Sequence, residues 1–154
     1  MPFSEPETRA LKKLYEKKSY KFSLDLHGYT NWIVLPSAPQ LIYKEKASSR
    51  MTSVWKTWVD KVSESMSQIL PEYKLKTAGA LGDGGAFEDW AFWGAQSWSA
   101  CIELSGPRKS LEEMNEEEKI NAFKSFERYE SFIAELIKTA YLLESANINL
   151  ASLK

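Results

Sequence analysis

Two stretches of strict alternation constrain this chain more than any other feature. In residues 20–27, Tyr20, Phe22, Leu24 and Leu26 point to one side, while Lys21, Ser23, Asp25 and His27 point to the other. In residues 97–104, Trp98, Ala100, Ile102 and Leu104 oppose Ser97, Ser99, Cys101 and Glu103. A period of two sustained in this way is a strand with one apolar face. The other faces carry the only histidine of the chain and a carboxylate. Gly28 marks a tight turn after the first strand. Residues 31–35 read as a second, short and almost wholly apolar strand stopped by Pro36.

Helical patterns separate these strands. Ser4 with Glu7 three residues on reads as a capping box, Pro6 suits a first helical turn, and Ala10, Leu11, Leu14 and Tyr15 share one face. Met51, Val54, Trp55, Trp58, Val59, Val62, Met66 and Ile69 follow helical spacing up to Pro71. Lys74–Thr77 reads as a short edge strand, and residues 78–85 as a Gly-rich loop with no following Lys-Ser/Thr to cradle a phosphate. Residues 37–49 read as loop around Pro39 and a charged Lys-Glu-Lys, longer than the usual connection and a candidate functional surface. Asn115 followed by three glutamates is a helix start, after which Ile120, Phe123, Phe126, Ile133, Ile137 and Tyr141 are expected to bury one face of a long helix. The order helix, strand, strand, helix, strand, helix predicts an α/β fold, a mixed β-sheet flanked by helices.

Composition narrows the function classes. At 154 residues with 44% hydrophobic content and six tryptophans, the chain can bury one substantial core. Twenty basic against twenty-one acidic residues give no electrostatic argument for nucleic acid or anionic lipid. Cys101 is alone, so no intrachain disulfide forms. The start MPFSEPETRA has no apolar core segment of a signal peptide, and no apolar run approaches the roughly 20 residues that span a bilayer, so a soluble chain of undetermined compartment is expected. For His27 the plain reading is a strand-end side chain at the surface. Cys101 reads as a small filler, since no second histidine exists to activate it.

The order and spacing of several motifs resemble the zinc metallocarboxypeptidase family of the carboxypeptidase A type, and only its C-terminal half. Residues 2–8 (PFSEPET) resemble the segment that opens a family helix, and His27-Gly28-Tyr29 the strand-end motif that carries the third zinc ligand. Trp32 to Pro36 resembles the strand that follows. Gly84-Gly85, Asp89-Trp90 and Glu103 resemble the Gly-Gly segment, the Asp-Trp pair and the glutamate that activates zinc-bound water, and the interval from Trp90 to Glu103 is the family's. The resemblance implies a single partial peptidase domain over 1–154, with sheet and site in 2–105 and a C-terminal helix in 111–146, in the phosphorylase/hydrolase-like fold.

Carried over residue by residue, the resemblance implies His27 as a metal ligand for Zn2+, Glu103 as the catalytic general base and acid, and Tyr29 and Glu88 on the substrate-binding side. Glu88 would favour a basic C-terminal residue, and Asp25 would serve His27 or the pocket. The implied activity is hydrolysis of C-terminal residues from peptides. The family's His-x-x-Glu, which gives the other two zinc ligands, is absent, as are the carboxylate-gripping arginines expected before Pro2. The mobile tyrosine falls where Ala80 and Leu81 stand. The chain alone is therefore expected to be incomplete and inactive, with a non-catalytic binding domain derived from a peptidase as the alternative. The resemblance places the strand of residues 97–104 between the His27 strand and strands of the N-terminal half. A hydrophobic sheet edge would then be left for a separate N-terminal half or partner chain. No role for nucleic acid or membrane is expected.

Overall fold

The computed structural model describes residues 3–28, 30–81, 86–104, 110, 112–148 and 150–153. The elements in chain order are α1 (Pro6–Lys17), β1 (Phe22–Gly28), β2 (Trp32–Leu35), α2 (Pro39–Tyr43), α3 (Ser49–Ile69), β3 (Lys74–Thr77), α4 (Phe87–Asp89), β4 (Trp98–Leu104) and α5 (Glu116–Ser145). Short 3-10 turns occupy Lys44–Lys46, Ala78–Leu81 and Leu150–Leu153, and α4 runs on into a π-helical turn, Trp90–Gly94. Residues 37–49 thus hold two helical turns rather than loop.

The four strands form one mixed sheet in the order β1-β4-β2-β3. β4 runs parallel to β1 and antiparallel to β2, and β2 runs parallel to β3. The turn at Gly28 therefore makes no hairpin, because β4 inserts between the two strands that the turn connects. This also corrects the expected topology. β4 is interior as anticipated, but its neighbours are β1 and β2, and the edges of the sheet among the described residues are β1, the His27 strand, and β3.

One face of the sheet carries the main core. Ile33, Leu35, Trp98, Ala100 and Ile102 are fully buried there under α3 and α5. Ser48 caps α3 by accepting the Met51 backbone N–H at 3.2 Å, and Pro71 follows its last turn. Trp58 of α3 is 0% exposed in this core, edge-on to Phe22 and tilted against Trp98, and its indole N–H donates to the Ser99 carbonyl at 2.9 Å. Trp55 likewise donates to the Pro36 carbonyl at 2.8 Å, fixing α3 across β4 and the end of β2.

Two helix starts separate expectation from outcome. Asn115 and Glu118 form a reciprocal capping box at α5, each side chain accepting the other's backbone N–H at 2.9 Å. Ser4 makes no such box. Pro6 occupies the first helical position, which makes Glu5 the capping residue, and the Ser4 hydroxyl donates to the Glu5 carboxylate instead.

The face of α5 expected to be buried is largely open. Ile120, Phe123, Phe126, Ile137 and Tyr141 are between 50% and 71% exposed, and only Ile133 is partly covered. The sheet-facing stripe is Tyr129, Phe132, Leu136, Ala140 and Leu143. Both stripes are apolar at helical spacing, so periodicity alone does not choose between them. No helix among the described residues is long and apolar enough to cross a membrane.

Because Trp58 both fills the core and satisfies a buried carbonyl, Trp58→Ala should lower the unfolding free energy by about 3–5 kcal/mol. Trp58→Phe, which keeps most of the ring but orphans the Ser99 carbonyl, should cost about 1–3 kcal/mol. Urea denaturation followed by circular dichroism measures both.

Candidate functional site

The second face of the sheet is where the chemistry-bearing residues collect. The parallel ladder pairs Ser23 with Ser99, Asp25 with Cys101 and His27 with Glu103. Laterally paired residues point to the same side, so the imidazole and the carboxylate sit on neighbouring strands and share one face. β2 adds Trp32 opposite Glu103 and Val34 opposite Cys101 on that face. His27 Nε2 lies 3.2 Å from Asp25 Oδ2, with the His27 side chain 59% exposed and that of Asp25 33%. The imidazole is therefore steered by its strand neighbour while remaining open to solvent.

α4 covers the deeper part of this face. Asp89 fixes it: one carboxylate oxygen accepts the Ser37 backbone N–H at 2.6 Å and the other the Ser37 hydroxyl at 2.8 Å. The Trp93 indole donates to the Ser37 carbonyl at 3.0 Å, and the Ser99 hydroxyl donates to the Glu88 carbonyl at 2.8 Å. Trp90 packs edge-on against Tyr15 of α1, whose hydroxyl meets Ser23, which in turn meets Ser97, both at 2.6 Å. The Asp-Trp pair is thus a clamp. Asp89 ties α4 to the end of β2, and Trp90 ties it to α1.

The clamp presses Glu88 onto the strands. Glu88 is only 5% exposed, and its carboxylate, that of Asp25 and the thiol of Cys101 lie within 4.8 Å of one another. Burial, chiefly, with the Asp25 and Asp89 carboxylates as lesser causes, raises the Glu88 pKa above the ordinary carboxylate value. Burial, then the Glu88 and Asp25 carboxylates beside it, pushes the Cys101 thiol far up. A thiol so held is a poor nucleophile. Tyr29, Gly84 and Gly85 lie outside the described residues.

A model of the zinc carboxypeptidase family matches residues 1–134. The chain belongs to the zinc carboxypeptidase family. A search of curated proteins returned no match. The family is zinc-dependent, and a catalytic zinc takes three protein ligands with one position left open. Among the described residues the donors do not compose that centre. His27 is the only histidine of the sequence, and the only group of three donors brought together among the described residues, Asp25, Glu88 and Cys101, leaves it out.

The sequence singled out His27, Glu103 and Glu88, and the ladder and α4 bring all three to one face. It did not single out the grouping of Asp25 with Cys101 and Glu88. The signal was present, since Asp25 precedes His27 by the same step of two by which Cys101 precedes Glu103.

The raised Glu88 pKa sets a pH dependence. Since the folded-state value lies above the unfolded one, the folded chain holds this proton more tightly. The associated stability is full below the unfolded pKa and is lost as pH rises through the folded one. Glu88→Gln, which cannot ionise, should therefore raise the melting temperature relative to the parent more at about pH 8 than at about pH 4. A shift that is the same at both would contradict the assignment.

Proposed function

We propose that this chain supplies the base and the side-chain pocket of a carboxypeptidase site selective for a basic C-terminal residue. The observation that carries the reading is the pairing of His27 with Glu103 on one face, directly beside the Asp25–Glu88–Cys101 group. Glu103, half-exposed at the end of β4, is the acceptor for the proton of an attacking water and the donor to the leaving amine. His27, oriented by Asp25, is the metal ligand of this reading.

Glu88 and Asp25 give the pocket its preference. A buried carboxylate beside a second, partly exposed one favours a proton or a cation between them. The ammonium or guanidinium of a C-terminal lysine or arginine supplies such a cation, with charge-assisted hydrogen bonds to both. A neutral aromatic side chain would instead leave the buried Glu88 carboxylate without a cation, and that asymmetry is the larger source of discrimination.

A second reading is favoured by the single histidine: a domain that keeps the pocket and binds peptide ends without cleaving them. The two readings separate experimentally. Calorimetry with N-acetylated dipeptides should show those ending in arginine or lysine binding roughly tenfold or more tighter than those ending in phenylalanine. Glu88→Gln should remove most of that difference. Equal affinity for all three ends would overturn the pocket assignment.

Metal analysis after dialysis should find no stoichiometric zinc on the chain alone. Any residual affinity should be about micromolar at best and lost in His27→Ala. Tight stoichiometric zinc on the chain alone, retained in His27→Ala, would overturn the role of His27.

A further inference from the structure

Lys76 of β3 stands on the same face of the sheet as Glu103 and Glu88. The ladder pairs it with Val34 of β2, and Val34 with Cys101 of β4, so the three residues point to one side. Lys76 is half-buried, and its Nζ lies 5.4 Å from the centre of the Trp32 ring. Trp32 is the cross-strand partner of Glu103. The ammonium therefore leans along the face to the level of Glu103, one strand to its side. Among the described residues no carboxylate pairs with it.

A lysine head group drawn partly out of water is stabilised by a counter-charge or by an aromatic face. The indole gives Lys76 only the second, and the charge stays available. Lys56, Lys61 and Lys138 differ, each being paired with an acidic residue within a turn of its own helix. Around Lys76 the face is acidic, with Asp25 and Glu88 under α4 and Glu103 at the end of β4. An anionic ligand group meets repulsion from all three, and Lys76 is placed to offset it.

Every peptide bound by its C-terminus carries such a group. In the last residue the terminal carboxylate, the side chain and the scissile nitrogen all branch from one Cα, so their partners must surround one point. The face offers that triangle. Glu103 stands at one corner, Glu88 against Cys101 two residues deeper, and the Lys76 ammonium one strand to the side.

We propose that Lys76, held over Trp32, binds the terminal carboxylate of the peptide end whose basic side chain enters the Glu88 pocket. This rests on the pocket reading given above. The ligand is then held by two opposite charges of this chain, and the ammonium donates a charge-assisted hydrogen bond to its carboxylate. A peptide with an amidated end lacks the anion and binds more weakly. Lys74 pairs with Trp32 at the exposed start of β3 and makes no ring contact among the described residues, so it is not the anchor.

Calorimetry on the full chain tests this with three N-acetylated dipeptides, one ending in arginine, its C-terminal amide, and one ending in phenylalanine. The free acid ending in arginine should bind about tenfold or more tighter than its amide. Lys76→Met keeps the aliphatic stem on the indole and should reduce that ratio to within about twofold, with the arginine-over-phenylalanine preference retained. Lys76→Arg, which keeps the charge and stacks on the ring, should restore most of the ratio. Glu88→Gln should do the opposite of Lys76→Met, keeping the acid-over-amide ratio while losing the side-chain preference. Lys74→Met should leave both nearly unchanged.

An acid-over-amide ratio that survives Lys76→Met, or one that falls equally in Lys74→Met, overturns the assignment of Lys76 and leaves the Glu88 pocket standing. Loss of the side-chain preference alone, with the ratio still dependent on Lys76, overturns the pocket and leaves the carboxylate anchor. No measurable binding of any of the three peptides overturns both.

Discussion

The parallel ladder between β1 and β4 is the constraint on which the rest of this molecule depends. Its register decides at once which residues enter the core and which meet on the opposite face. A slip of β1 by a single residue would turn Phe22 and Leu24 away from the core and carry Ser23, Asp25 and His27 to the apolar side. That cost, spread over several buried side chains, holds the pairing in place more firmly than any contact within the site itself. The site is thus a by-product of core packing on the far side of the same two strands.

Over that ladder sits a covering element that is short and weak by its own local propensity. α4 and its π-helical continuation span only eight residues, too few to be stable in isolation. The element is held from outside by the two bonds of Asp89 to Ser37, the Trp93 indole on the same residue, and the Ser99 hydroxyl on the Glu88 carbonyl. Holding a three-residue helix by side-chain bonds fixes the position of Glu88 while leaving little helix to accommodate change. Glu88 and the element that carries it are therefore held as one unit.

Much of this was legible in the sequence because strand alternation is a strong signal wherever one face is buried. The strands containing His27 and Glu103, α3 with its tryptophans, and the capped start of α5 follow directly from pattern and end chemistry. Strand order did not follow. Gly28 marks where the chain turns but carries no information about which strand returns to fill the gap, and that choice is made by contacts nearly eighty residues distant in the chain. The buried side of α5 was misjudged for a different reason. Phe123, Phe126, Ile137 and Tyr141 are as apolar as the stripe that meets the sheet, and a helix with two such faces does not say which of them is buried. The Asp-Trp pair was legible as a family mark, while its mechanical role needed the partner Ser37, far off in sequence.

The insulation of Cys101 has a consequence for how the molecule reports on itself. Its thiol is buried, faced by carboxylates and held protonated, so alkylating reagents and mild oxidants find no thiolate to attack while the sheet is closed. Once β4 separates from β1, the same sulfur becomes an ordinary cysteine. The sole thiol of the chain is thereby a built-in sentinel for strand opening, silent in the folded state and reactive only when the central ladder comes apart.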